Sequence, residues 1–440
     1  MIPNHIHKMR ELCEITSSKR IFAADYKPEG VPFYRGKEIS EKYRGNLDVS
    51  TELFIDRDKF EQIRAKFGAP VAGDLLLTSV GTLGSPYVVN EGEEFYFKDG
   101  NLTWFRYFKH LDSRFLFYWL QSPQGKAELK KCTIGSSQSA YTIVLLKEME
   151  IFLPPLPTQR RIAAILSAYD DLIENNLRRI KILEEMAQNL YREWFVKFRF
   201  PGHQHARFTD SPLGRIPEGW EVVRFSDLLA SGLGGDWGLD DPDAKENAPV
   251  FVIRGTDFGN ISNGTALRTP RRFITPSSQA KRQLQAGDLL VENSINAKSR
   301  CVGTTLLISD GILRRLSDPA IAASFCKVYR FKDPSLAPLA HLHMRHLYGE
   351  GRMAFYQNVA ANGIGNFQSQ RFLESEHLVF PADSRTQQEM LGFLNDLTSS
   401  TLADQTFTLR RTRDLLLPRL ISGEVDVSEL DIAVPEEAVA

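Results

Sequence analysis

Cysteine is scarce in this chain: there are four in 440 residues (Cys13, Cys132, Cys301 and Cys326), with no C-x-x-C and no paired spacing. That excludes a disulfide-built scaffold and a zinc ribbon, and it implies a reducing, cytoplasmic setting. Long apolar runs are also missing. Nothing approaches the roughly 20 residues needed to cross a bilayer, and Met1-Ile2-Pro3-Asn4-His5 lacks the basic-then-apolar pattern of a secretory signal. No membrane partner is expected. Nor is there an excess of either charge, since 54 Lys and Arg stand against 55 Asp and Glu. Such a balance argues against an unselective nucleic-acid binder. It leaves room for a local basic face, because affinity follows the cations that reach phosphates.

Catalytic signatures are absent as well. The sequence has no G-x-x-x-x-G-K-[ST] and no H-E-x-x-H, no G-x-S-x-G, and no Asn-Pro-Pro-Tyr or Asp-Pro-Pro-Tyr. His341, His343 and His346 come without a carboxylate motif or a fourth ligand, so a structural or solvent-facing role is expected. Glu128-Leu129-Lys130 has no preceding Pro-Asp to make it a nuclease motif. Gly363-Ile364-Gly365 lacks the third glycine of a dinucleotide loop and reads as a flexible turn. No catalytic residue, metal site or cofactor is expected in this chain.

What is present is repetition. Arg35-Gly36 returns as Arg254-Gly255, Ala72-Gly73-Asp74-Leu75-Leu76 as Ala286-Gly287-Asp288-Leu289-Leu290, and Pro157-Thr158-Gln159 in weaker form as Arg385-Thr386-Gln387. The spacing is about 220 residues, far beyond the 20–50 of a solenoid. The chain therefore reads as a duplicated module, a globular block followed by a long helix, twice over. Short apolar runs bounded by Gly, Pro and Asp (Val31–Tyr34, Asp74–Val80, Tyr87–Val89, Leu102–Tyr107) predict strands.

From Ile162 the apolar residues fall at alternating steps of four and three. Ile162, Leu166, Tyr169, Ile173, Asn176, Ile180, Leu183, Ala187, Leu190 and Trp194 form a heptad seam. Asn176 either fixes register within it or sits at its edge. A weaker seam follows Arg385: Leu391, Leu394, Thr398, Leu402, Gln405, Leu409, Thr412 and Leu416, closing on Pro418. The two helices, each about 50–60 Å long, are expected to pair antiparallel. The expected fold is α+β: two globular mixed α/β domains separated by two long antiparallel helices (an intramolecular coiled coil), with a pseudo-twofold internal repeat. Boundaries are placed at 1–156 (first domain), 157–198 (central helix), 199–383 (linker and second domain), 384–423 (distal helix) and 424–440 (a loose acidic tail).

Polar loops recur at equivalent places with different content. Residues 78–84 and 135–141 of the first block answer to 292–300 and 362–371 of the second. Asn and Gln can pair with adenine edges, Arg and Lys with guanine, and hydroxyls with phosphates.

The pattern resembles the specificity subunit of Type I restriction–modification enzymes over nearly the whole chain. The resemblance is carried by Pro154-Pro155-Leu156-Pro157-Thr158-Gln159-Arg160-Arg161-Ile162-Ala163 with Asp170-Asp171-Leu172-Ile173-Glu174, by Leu213-Gly214-Arg215-Ile216-Pro217-Glu218-Gly219-Trp220, and by Leu415-Leu416-Leu417-Pro418-Arg419-Leu420-Ile421-Ser422-Gly423. It implies two target-recognition domains, each reading half of a split site in double-stranded DNA. The helices would set the gap and dock two methyltransferase subunits, with restriction subunits joining the assembly. S-adenosylmethionine, ATP and Mg are then expected only in those partners.

Candidate DNA contacts in the first domain are Arg35, Lys37, Ser79, Thr82, Lys98, Arg106, Ser136, Gln138 and Tyr141. In the second they are Arg254, Thr256, Asn293, Asn296, Lys298, Arg300, Asn362, Asn366, Gln368 and Arg371. Seam and docking candidates are Ile162, Leu166, Tyr169, Ile173, Asn176, Ile180, Leu183, Leu190, Leu391, Leu394, Leu402 and Leu409. Two departures stand out: the first block lacks the opener found before Trp220, so the C-terminal segment is expected to complete its edge, and the Pro-and-Gln junction at 381–387 is degraded. The alternatives are a two-headed protein adaptor and a self-contained nuclease or methyltransferase.

Overall fold

The Asp-Leu-Leu run shows how each block is built. Leu75, Leu76 and Leu77 are all fully buried, because successive side chains of a strand point to opposite faces and both faces are covered. Leu75 and Leu77 enter one core with Phe105, Phe115 and Trp119, whereas Leu76 enters another with Ile39, Phe97 and Trp104. The second copy repeats this, with Leu289 and Val291 on one side and Leu290 on the other. The preceding aspartates are buried too. Asp74 accepts from the Val71 N–H (3.0 Å) and Trp104 Nε1 (2.8 Å); Asp288 accepts from the Gln285 N–H (2.8 Å) and Arg330 Nη2 (2.7 Å).

A computed structural model describes residues 6–45, 49–135, 139–265, 269–296 and 301–433. The chain divides into two units, Met1–Asp171 with Arg411–Ala440, and Leu172–Arg410. The division falls inside both long helices, whereas the expected borders stood at their ends. Among the described residues no helix is long and apolar enough to cross a membrane.

In the first unit, an antiparallel sheet orders Glu14–Thr16, Leu102–Arg106, Leu75–Thr78 and Pro86–Val88. A second sheet orders Tyr26–Lys27, Phe54–Ile55, Val31–Tyr34 and Tyr96–Phe97, the last pair parallel. Ile6–Lys8 pairs with Glu150–Phe152 at the mouth of the long helix. Trp220–Arg224 pairs with His377–Pro381 at the matching place in the second unit. The first block therefore has a short opening strand, and Leu420, Ile421 and Val427 from the C-terminal segment complete its core.

The second unit carries the sheets 229–234, 326–331, 289–292, 305–307 and 271–274, 248–253, 320–322. It also has a small sheet of Ser294–Asn296, Ile364–Phe367 and Gln357–Val359. The stretch expected as a linker holds a hairpin, Phe208–Ser211 with Gly214–Pro217.

The first long helix runs Leu156–Tyr191 and ends in a π turn, Arg192–Val196. Ile162, Leu166, Ile173, Asn176, Ala187 and Tyr191 are buried, while Tyr169, Ile180, Leu183 and Leu190 are half-buried. Past Ala187 the buried positions are Tyr191 and Phe195, each one residue beyond the expected Leu190 and Trp194. Within the first unit, Ile162 and Leu166 pack with Leu420 and Ile421, and Asp170 pairs with Arg413, so the helices run antiparallel there. In the second unit Ala187 shares a core with Leu391 and Leu394.

Three expectations about the distal helix are corrected. It is broken into Ser384–Leu397 and Thr401–Ser422, because Ser399 and Ser400 hydroxyls bond to Thr401 N–H and Asp404 and start a new helix. That break shifts the seam, burying Thr406 and leaving Gln405 exposed. Leu402 is buried and Leu409 half-buried. Pro418 does not end the helix, which continues to Ser422 with Leu420 and Ile421 anchored in the core. Lastly, the start of the tail is not loose: the Val425 N–H bonds to Arg419 O (3.2 Å), and Val427 is buried.

Candidate nucleic-acid interface

The Arg-Gly pairs start helices. Arg35 precedes the helix Gly36–Tyr43, and its backbone N–H (2.8 Å) and guanidinium (2.7 Å) both reach buried Glu38, three residues on. Arg254 treats Asp257 the same way, at 2.9 and 2.8 Å. These acids hold both guanidinium pKa values above the ordinary arginine value. Burial pushes the Glu38 carboxyl up, but the Arg35 hydrogen bonds outweigh it and leave it below the usual range. Arg35 and Arg254 are thus committed to their own helix starts. Both were expected as DNA contacts; each meets an acid of its own domain first, in a pair that recurs to close a helix N-terminus.

Other candidates are committed as well. Ser79 is buried, its hydroxyl 3.2 Å from Leu77 O and 2.7 Å from Thr103 Oγ1. Arg106 pairs with Glu14 at 2.7 Å and lies over the Trp104 ring at 4.3 Å. Ser79 is thus turned into the core, and Arg106 is engaged by an acid and an indole of its own domain. Lys37, Thr82 and Thr256 are exposed, and Lys98 is half-buried with its N–H on Tyr34 O. Ser136, Gln138, Lys298 and Arg300 lie outside the described residues, and Asn296 is placed by its strand alone.

The structure joins the loops that the sequence left apart. In the first unit, Tyr141 N–H donates to Ser79 O (3.0 Å) and Val80 bridges Ala140. In the second, Phe367 N–H donates to Asn293 O (2.8 Å) and Ser294 pairs with Asn366. One backbone junction thus serves both units. Its decoration differs. The first unit presents Thr82 and half-buried Tyr141, whose hydroxyl lies 3.1 Å from where a side chain on Gly84 would begin, and burial pushes its phenol pKa up.

The second unit presents a hairpin, Gln357–Phe367, against Ser294–Asn296. Asn362 accepts from Ile364 N–H (3.1 Å) and shapes its turn. Arg371 lies over the exposed Phe355 ring at 3.7 Å, with Gln368 Oε1 at 3.3 Å. Asn293 is half-buried, and its Oδ1 has no protein partner among the described residues. Sequence reasoning missed Gln357 and Asn358 on this hairpin, and Phe355 in the turn before it. An uncharged, amide-rich run from 357 to 370 was the signal that could have found them.

The histidines serve the core. His341 Nδ1 is 2.9 Å from Thr305 Oγ1, and burial lowers its pKa to about 3. His343 lies between Tyr191 (2.8 Å) and Glu376 (3.2 Å).

A family model for the Type I restriction modification DNA specificity domain matches residues 3–185. The chain is 33% identical over 379 residues to the Type I restriction enzyme MjaIX specificity subunit of Methanocaldococcus jannaschii, covering 81% of this chain and 79% of that protein. It is 27% identical over 318 residues to the MjaVIII specificity subunit of the same organism, 70% of each. The crystal structure of a Type I restriction-modification system S subunit from M. genitalium has a similar fold, with a TM-score of 0.55 over 94% of this chain and 95% of that one at 14% identity.

Proposed function

The chain belongs to the specificity subunits of Type I restriction enzymes, and on that premise we propose that its two units each read one half of a bipartite DNA site. It is the DNA-specificity member of a restriction–modification complex and carries no catalysis of its own. The observation that favours one reader per unit is the shared junction. Tyr141 N–H to Ser79 O and Phe367 N–H to Asn293 O are the same bond in the same place, with loops of different chemistry built on it. A frame kept constant while its exposed loops diverge suits two readers of different sequence.

The antiparallel helices would set the gap between half-sites and dock two methyltransferase subunits, to which restriction subunits attach. S-adenosylmethionine, ATP and Mg would be bound by those partners. Among the described residues no group of three or more His, Cys, Asp or Glu side chains is placed to hold a metal ion.

Exchanging residues 220–380 for the corresponding block of a relative tests the reading. Sequencing of the methylated sites in cells carrying the exchanged chain and its methyltransferase should show one half-site replaced and the other kept. A change in both halves, or in neither, would overturn it. Removing one turn from each helix, about 5.4 Å, should shorten the gap by about one or two base pairs of 3.4 Å and leave both half-sites intact.

A further inference from the structure

The hairpin of the second unit has an unusual composition. From Gln357 to Gln370 there is no Asp, Glu, Lys or Arg, while Gln357, Asn358, Asn362, Asn366, Gln368 and Gln370 supply six side-chain amides. Cations flank it in sequence instead: Arg352, exposed and 3.4 Å from Glu376, and Arg371, exposed over the Phe355 ring. Phosphates draw cations most strongly, whereas base edges are read by amides and guanidinium groups. An uncharged amide ribbon flanked by arginines therefore has the chemistry of a base reader with phosphate anchors beside it. A two-stranded ribbon is also an element the major groove admits.

The strand period decides which amides face outward. Ile295 and Phe367 are buried in the core of the unit. Asn366 pairs with Ser294 on one side and Asn358 on the other, and both asparagines are exposed. Asn366 is further held in a fixed sense, because its Oδ1 accepts the Ser294 hydroxyl at 2.9 Å. A carbonyl oxygen has two lone pairs, so Oδ1 keeps one acceptor site and Nδ2 keeps its donors. One acceptor beside one donor matches adenine, which offers N6–H and N7. It mismatches guanine, where O6 and N7 both accept.

We propose that Asn366, oriented by Ser294, reads an adenine in the half-site of the second unit. This rests on the DNA-reading assignment above and deepens it. Asn366 would make the base contact, and Ser294 would be a positioning residue that fixes which way round the amide is presented.

The test is selection from a pool of randomised duplexes by the full chain together with its methyltransferase subunits, comparing wild type with Asn366→Ala, Asn366→Asp and Ser294→Ala. Wild type should enrich a split sequence. In Asn366→Ala, one adenine of one half-site should lose its preference by about 5- to 150-fold, with the other half-site unchanged. Asn366→Asp, an acceptor-only side chain, should shift that position toward cytosine, whose N4 donates; loss of fold could not produce such a switch. Ser294→Ala should relax the same position by a smaller factor.

The proposal is overturned if Asn366→Ala leaves every position as in wild type, or relaxes a position that is not adenine. Those results leave DNA reading standing. If wild type enriches no sequence, the DNA-reading assignment falls and this proposal with it. Asn366 is exposed, so a thermal melt of each variant should match wild type.

Discussion

Asp170 lies where three elements of the first unit meet, and its removal should be costly. Its carboxylate accepts the Tyr118 hydroxyl at 2.6 Å and pairs with Arg413 of the distal helix. Arg413 also reaches Asp414, at 2.7 and 3.0 Å. The Arg413 and Asp170 side chains are 22% and 31% exposed, and Tyr118 is 5% exposed. An exposed ion pair contributes about 0–1 kcal/mol, whereas stripping one partner from a buried pair costs about 3–5 kcal/mol. This pair lies between those limits, and Asp414 limits the loss for Arg413. Tyr118 would lose its acceptor in a buried place, a further cost of about 1 kcal/mol or more.

Asp170→Ala should therefore destabilise the first unit by about 2–4 kcal/mol. Asp170→Asn, which keeps an acceptor for Tyr118, should cost about half of that. Hydrogen exchange read by mass spectrometry localises the effect: protection should fall in 113–121, 160–171 and 411–422, and hold in 357–367. A double-mutant cycle of Asp170→Asn with Arg413→Gln should give a coupling of about 1 kcal/mol or more. Most of that coupling should survive 1 M salt, because partly buried pairs are screened less than exposed ones. A loss below about 0.5 kcal/mol, a coupling of zero, or equal loss of protection in 357–367 would refute the reasoning.

The repeated Arg-Gly pair should respond unequally to one substitution. A Cβ on Gly255 would fall 2.2 Å from Glu292 Oε1, a side chain held by the Thr304 hydroxyl at 2.7 Å, whereas on Gly36 nothing lies nearer than 3.9 Å. Gly255→Ala should cost about 1–3 kcal/mol and Gly36→Ala should be neutral or stabilise by up to about 1 kcal/mol in denaturant unfolding; equal effects would contradict the packing. His341 has its folded pKa lowered to about 3 from an ordinary 6.5. Below pH 6.5 the unfolded chain takes up a proton that the folded chain refuses, so stability present above 6.5 is lost as pH falls toward 3, by up to about 1.4 kcal/mol per pH unit. His341→Asn should flatten that part of the stability–pH curve relative to wild type, and an unchanged slope would show that the burial is not felt. Leu394→Ala, at a position with no exposure, should cost about 2–5 kcal/mol in urea unfolding.

How much was legible depended on whether the controlling interaction is local. The strand at Leu75–Thr78 was readable as a short apolar run bounded by Gly and Asp, and the helix from Leu156 because a period near 3.5 is written in its apolar residues. The break at Ser399-Ser400 was also local, two hydroxyl residues able to cap a new helix. It was missed because the heptad count was carried straight across them, which put Gln405 where Thr406 is buried. The π turn at Arg192–Val196 has no such mark, and it shows in the Lys197 N–H bond to Arg192 O.

The contact residues divided on similar lines. Arg35, Ser79 and Arg106 have the side chains of nucleic-acid ligands, but their partners Glu38, Thr103 and Glu14 show them already engaged. Composition cannot tell a cation that is free from one that is spent. The pairing of 294–296 with 364–367 lay beyond the sequence for another reason, since the strands are separated by a long excursion and only register joins them.

The faithful repeats therefore have a different meaning from the one recurrence first suggests. Arg-Gly closes a helix onto the acid three residues later, and Gly-Asp-Leu-Leu seats a strand between two cores through a buried carboxylate. Both are interior or capping devices, and changing either removes a buried partner, which a marginally stable unit tolerates poorly. The strand exit is joined through the main chain, where Ser79 and Asn293 each offer a backbone carbonyl, to Tyr141 and Phe367. The Ser79 hydroxyl is held inside against Thr103, but Thr82 in one unit and Asn366 in the other are exposed and can change without touching the core. Diversity between the two units is therefore expected where the backbone alone does the joining, and the hairpin with Asn358 and Asn366 lies on that exit.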